Sequence, residues 1–191
     1  MALNDNAVLA VGTGNFYKCP YLTPTPTAAP ATKAALLTPA APWDKIGHTS
    51  LEDILSISSE GGDASVLGTL QNKALRTVYS PRTEALSLTL QQFDAEALKL
   101  YYGSNTDKID GQAGTSIFNG VPSTPVPTVV SFLAVFQDGV NVFAFYAPKA
   151  EIYRGDDLEV SDTESLVGLP LQVKPLIHGA NTWAYAVAPL V

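Results

Sequence analysis

The sequence predicts a mainly β domain, a sandwich or barrel-like body with one short α-helix on its flank at about residues 94–103. Three observations carry this. Leu86, Leu88 and Leu90 alternate with Ser87, Thr89 and Gln91, the period-two pattern of a strand with one buried face. Two long apolar runs, TVVSFLAVFQ and VNVFAFYAPKAEIY, flank Asp138-Gly139, the dipeptide best suited to a two-residue hairpin turn with positive φ. Helical spacing is confined to one short stretch. At 191 residues, with no linker clean enough to divide it, the chain reads as a single domain over residues 1–191.

The elements follow in order. Residues 7–19, AVLAVGTGNFYKC, form an extended segment interrupted by Gly12 and Gly14. Residues 20–42 hold six prolines and almost no charge. Proline withholds backbone donors and favours extended neighbours, so this is an arm or long loop. It reads either as a surface loop or, being rich in Ala, Leu and Thr, as a segment lying against an apolar surface such as a neighbouring subunit's.

Residues 54–58 alternate apolar and polar, and Glu60-Gly61-Gly62-Asp63 makes a flexible turn. KALRTVYS leads through Pro81 into the strand around Leu86. The helix then has Asp94 as N-cap, Glu96 at the positive end of its dipole, Phe93 stapled to Leu98, and Gly103 as its stop. Ala97, Leu98, Tyr101 and Tyr102 make its docking face.

Residues 104–127 read as a surface connection. In the first strand of the central hairpin, Val129, Leu133 and Val135 take one face, and Val130, Phe132, Ala134 and Phe136 the other. Both faces are apolar, so this strand is sandwiched between sheets or meets another chain. The acidic run at 156–164 reads as a solvated turn, and LVGLPLQVKPLI and TWAYAVAPLV as two further strands.

Composition narrows function. Charged residues are only 15%, against roughly 25% usually, so the surface is unusually neutral. A net charge of −7 excludes tight DNA binding by counterion release. Cys19 is the only cysteine, which excludes an internal disulfide and fits a reducing compartment. The apolar run from Ala7 to Val11 lacks the basic start and length of a signal peptide, and no run approaches the roughly 20 apolar residues of a membrane span. A soluble, unexported protein is expected.

Enzyme signatures are missing from the sequence. His48 and His178 have no His or Cys at metal-ligand spacing. Gly12-Thr13-Gly14 lacks the third glycine and following helix of a dinucleotide loop. Asn105, Asp107, Asp110 and Gly111 place Thr106 and Lys108 where a calcium loop needs acids, and Asx-type turns account for them. No catalytic residue, cofactor or metal is assigned.

WDKIGHTSLEDILSIS, KALRTVYS and EALSLTLQQFDAEALKLYYG, followed by FAFYAPKAEIYRGDDLEVSD and LVGLPLQVKPL, together resemble the major tail tube proteins of long-tailed bacteriophages, over roughly residues 43–178. The long Pro/Thr/Ala arm departs from that pattern. The resemblance implies a β-sandwich with a flanking helix, shared with type VI secretion tube proteins. It further implies assembly in the host cytoplasm into rings, usually of six, stacked into the hollow tube of a virion tail. A tape-measure protein would occupy the tube, and DNA would meet the protein only in transit, with no sequence-specific and no stable membrane binding. Two-faced apolar strands suit sheets that continue between subunits, and acidic or neutral walls suit passing DNA. On this reading Glu60, Asp63 and Glu84 are expected to face the lumen. Pro24, Pro26, Pro30, Leu36, Leu37, Val129, Phe132 and Phe136 are expected to contact neighbouring subunits. The alternative is a β-sandwich binding module of a virion, for receptor binding or capsid decoration.

Overall fold

The computed structural model describes residues 8–22, 28–52, 54–108, 117–139, 141–160 and 165–188. Along the chain lie β1 (Thr13–Pro20), α1 (Lys33–Leu37), β2 (Asp44–Lys45), β3 (Ser56–Gly61), β4 (Ala64–Leu67), β5 (Arg76–Tyr79), β6 (Arg82–Leu90) and α2 (Ala95–Tyr102). They are followed by β7 (Asp107–Lys108), β8 (Asn119–Gly120), β9 (Thr128–Asp138), β10 (Asn141–Arg154), β11 (Leu169–Pro175) and β12 (Ala184–Ala188). The main sheet runs β2-β1-β9-β10-β11-β6-β3, with β12 also paired to β10. All its pairings are antiparallel.

The expected β9–β10 hairpin forms the spine, with its turn one residue later than the sequence suggested. Asp138 pairs with Asn141 and so belongs to the ladder, not to the turn; Gly139 follows it with φ 54°, and Val140 lies outside the described residues. Asp138 instead holds the N-terminal segment, its carboxylate accepting from the Ala10 N–H at 2.9 Å.

A β-bulge divides β10. The register shifts between Ala147 and Ala150, at Pro148-Lys149. A proline, which cannot donate to a ladder, is tolerated at such a site. The fully buried Ser131 hydroxyl donates to the Pro148 carbonyl at 2.8 Å. Beyond the bulge β10 changes partner: its first half pairs with β12 and its second with β11, while β9 follows its other side.

This rearrangement lets the sheet curl around one core. Phe16, Phe132, Ala134 and Phe136 from β1 and β9 gather with Leu86, Leu88, Leu90, Leu169, Leu171 and Val173 from β6 and β11. At about 25 cal/mol per Å² of apolar area removed from water, such a cluster is the main stabilising term. α2 docks against it as expected, with the Asp94 carboxylate accepting from the Ala97 N–H at 2.8 Å and Gly103 at φ 112° ending it. The buried face differs slightly from the expected one. Ala97, Leu100 and Tyr101 are buried, Leu98 and Tyr102 only partly so, because the short helix rests on β10 and β11 along the 97–100–101 stripe.

The second face of the hairpin is covered by the chain itself. Tyr17, Cys19, Leu133, Val135, Val142 and Ala144 pack against Leu36 of α1 and Trp43. Residues 28–46 therefore act as a strap across the sheet, and α1 is an addition to the single helix expected. Thr32 caps it, its hydroxyl accepting from the Ala35 N–H, and the Tyr17 hydroxyl donates to the Leu37 carbonyl at 3.0 Å. In the expected surface connection, the Asn105 side chain braces Thr124 and Val126, a long-range clamp instead of the local Asx-type turn expected.

Candidate assembly surfaces

Three features of the surface stand apart from an ordinary polar exterior. The first is the outer face of the four-stranded region formed by β3, β6, β11 and the second half of β10. Strand alternation that sends Leu86, Leu88, Leu171 and Val173 inward sends Ser87, Thr89, Gln172 and Lys174 outward. Adjacent register positions add Ser56, Ser58 and Glu60 on β3, and Glu151 and Tyr153 on β10. Burial, reinforced by Glu151, raises the Tyr153 phenol above its ordinary value and keeps it neutral. The formal charges among these residues are Glu60, Glu151 and Lys174, and the last two are direct cross-strand partners. The face is hydroxyl-rich and nearly neutral.

The second feature is unpaired strand edge. β3 pairs with β6 on one side and with no strand on the other among the described residues, and its residues are exposed on both faces. β2 covers β1 only at Tyr17 and Lys18, which leaves Thr13–Asn15 paired to β9 alone. The outer edge of β12 carries exposed Tyr185 and Val187. Open N–H and C=O rows of this kind are templates for another strand.

The third is the β4–β5 hairpin. Every residue from 63 to 83 is exposed, yet the hairpin carries Val66, Leu67, Leu70, Leu75, Val78 and Tyr79. Sequence reading placed a turn just before it, at Glu60–Asp63, took residues 73–80 as a lead-in to β6, and assigned nothing to β4. Exposed apolar side chains on a separate two-stranded ribbon break the link between apolarity and burial on which that reading depended.

The candidate residues distribute unevenly. Glu60 lies on the polar face, and Asp63 is exposed at the base of the hairpin, where its backbone is joined to Ser80. Glu84 belongs to the opposite face, in register with Leu86, and its carboxylate accepts from the Trp183 indole. That contact holds Glu84 away from the polar face that carries Glu60. Leu36 (5% exposed), Phe132 (1%) and Phe136 (5%) are committed to the chain's own core, which corrects their assignment as contacts a neighbour could reach. Leu37 is half-buried beside Leu36, Pro30 is half-buried, and Val129 is 40% exposed. Pro24 and Pro26 lie outside the described residues, as do Asp110 and Gly111 of the calcium-like stretch and residues 161–164 of the acidic run.

Elsewhere, polar contacts fasten loops to the core. The Tyr101 hydroxyl and Arg154 Nε both donate to the Asp156 carbonyl, at 2.8 and 3.2 Å, and the Arg154 guanidinium sits over the Tyr101 ring. Among the described residues no group of three or more His, Cys, Asp or Glu could hold a metal ion, and no helix is long and apolar enough to cross a membrane.

A curled β domain whose distinctive surfaces are open strand edges and a projecting apolar hairpin has the features of a structural assembly subunit. Comparison with known proteins agrees. A family model described as phage tail tube protein matches residues 1–188. The major tail protein Gp23 of Mycobacterium phage D29 is 32% identical over 184 residues, covering 93% of this chain and 89% of the relative. Gp23 of Mycobacterium phage L5 matches at the same identity and coverage. The chain belongs to the phage tail tube protein family, and its role is that of a structural component of the phage tail tube.

Proposed function

We propose that copies of this chain join side by side into rings, six-fold as the family resemblance implies, and that the rings stack into a hollow tube. The polar face of β3, β6, β11 and the second half of β10 lines its lumen. One observation carries this reading: β6, β11 and the second half of β10 have a buried apolar face on one side and a nearly neutral hydroxyl-rich face on the other, and β3 at their border has one edge without a strand partner among the described residues. An edge of this kind gains backbone hydrogen bonds when a like neighbour extends the sheet. A wall without a basic stripe lets a polyanion slide, because no cluster of lysines holds its phosphates. The tape-measure protein occupies this lumen during assembly, and the genome crosses it on delivery. Glu60 and Asp63 are the lumen-side acids; the open edges and the exposed Val129 are the contacts between subunits.

Electron microscopy of purified protein at high concentration tests the reading. Tubes with Glu60 facing the channel support it; tubes whose channel is lined by another face, or a monomer in every condition and in virions, refute it. Glu60→Lys should leave tubes intact and slow genome exit, and an unchanged exit rate would remove Glu60 from the wall.

A further inference from the structure

We infer that Glu151 and Tyr21 mask Lys174 and Lys149 at the lumen wall, so that passing DNA finds no bare ammonium to hold; this rests on the tube reading above and assigns the wall's neutrality to named side chains. Both lysines are half-buried. Lys174 shares the polar face with Gln172, two residues away on β11. Lys149 points to the same side, because the bulge inserts an extra residue between Ala147 and Ala150, which both face the core.

Each lysine has its own partner. Glu151 is the direct cross-strand partner of Lys174, a pairing that sets the two Cβ atoms about 5 Å apart and lets carboxylate and ammonium meet over the sheet. Glu60 is too far away for this role. Val173 pairs with Leu86 and Ala85 with Ser58, so Glu60 lies two strands across and two residues along from Lys174. That separation is roughly 12 Å, from about 4.8 Å between strands and about 3.3 Å per residue, against a screening length of about 8 Å at physiological salt. Lys149 is turned the other way, across β9, with its Nζ 5.3 Å from the centre of the Tyr21 ring. The electron-rich ring face holds the ammonium. His178 packs edge-on against the same ring.

The passenger makes the masks matter. Duplex DNA carries one negative charge per about 1.7 Å of axis, so a bare lysine repeated in every copy would meet phosphate wherever the genome stood. A lysine beside a carboxylate has no net charge, and its pull on a phosphate is offset by the repulsion next to it. The Glu151–Lys174 pair therefore supports the β10–β11 register without adding a handhold for DNA.

The test measures genome exit from virions built with variant subunits, with tube assembly and melting midpoint as controls for folding. Glu151→Gln should slow exit several-fold, and the slowing should shrink as salt rises from about 0.05 to 0.2 M, because the grip of a bare lysine on phosphate is screened. Adding Lys174→Gln should restore the wild-type rate, and the exchange Glu151→Lys/Lys174→Glu should keep it. Tyr21→Leu should slow exit in the same salt-dependent way, with Lys149→Gln restoring it, which repeats the test at a second site. Glu60→Lys reports separately on whether this face lines the channel. Slower exit from Glu60→Lys with an unchanged rate from Glu151→Gln overturns the inference and leaves the tube reading standing. Slowing by Glu151→Gln that persists after Lys174→Gln is added overturns it too, since the carboxylate then acts without the lysine. Unchanged exit from Glu60→Lys and Glu151→Gln alike overturns the lumen assignment itself and the inference with it.

Discussion

Replacing Leu36 with alanine tests whether the strap belongs to its own sheet. Leu36 is 5% exposed and packs among Tyr17, Leu133, Val135, Val142 and Ala144. Truncating a buried leucine costs about 2–5 kcal/mol, more where the site cannot collapse. Here the site can partly collapse. α1 is only five residues long and is held by the Thr32 cap and the Tyr17–Leu37 hydrogen bond, so it can settle inward over the sheet. The lower part of the range, about 2–3 kcal/mol, is therefore expected, and for a chain of this length it lowers the melting midpoint by about 5–10 °C. Far-UV circular dichroism of the unassembled protein gives the midpoint, and Trp43 fluorescence follows the strap itself. A shift below about 1 °C, with tube assembly lost, would refute the reasoning and seat the strap on a neighbouring subunit.

Further outcomes follow at three positions. Asp94→Ala should destabilise the protein by about 1 kcal/mol through loss of the α2 cap, read by urea titration. The Ala97 N–H, followed by Gln92, holds the Asp94 carboxyl below its ordinary value. Its contribution is therefore full above the unfolded-state pKa and lost as pH falls through the folded one. Asp94→Asn should keep the cap and remove that acid-limb dependence, and unfolding curves across pH 2–6 that coincide in shape with wild type would contradict this, the window bracketing a carboxylate pKa of about 3.9. Ser131→Ala leaves the Pro148 carbonyl at the bulge without its donor and should cost about 1–2 kcal/mol, seen as a lower denaturation midpoint with unchanged slope. Gly61→Ala should cost about 1–3 kcal/mol, because the residue has φ 82° and its new Cβ would stand 2.2 Å from the Pro81 carbonyl oxygen; equal thermal stability would contradict it.

Much of the fold was legible because its signals are local. Leu86, Leu88 and Leu90 point inward as their spacing required, and Asp94 and Gly103 bound α2 as their chemistry required. The prolines of residues 20–42 fit the irregular chain seen at 28–32 and 38–43, but they gave no sign of α1 between these, and proline content carries no information about destination. That Leu36 and Trp43 lie on the chain's own sheet depends on a long-range contact with Leu133 and Val135. Glu84 illustrates the same limit at the candidate site. Its position in β6 was readable, whereas the indole it meets lies 99 residues away. The β4–β5 hairpin was missed for a different reason, since its apolar residues are not buried in the molecule that carries them.

By itself, then, the sequence determined a mainly β chain, its central hairpin, its capped helix and, through the ordered motifs from Trp43 onward, its kinship with tail tube proteins. All of these rest on side-chain periodicity, backbone preference or motif order, which act over a few residues. The tertiary structure alone decided which faces remain available to other subunits. Whether an apolar strand needs a neighbour depends on what else the chain lays over it. Here α1 and Trp43 cover one face of β9 and the curled sheet covers the other. The surfaces left uncovered are thereby the strand edges and the β4–β5 hairpin.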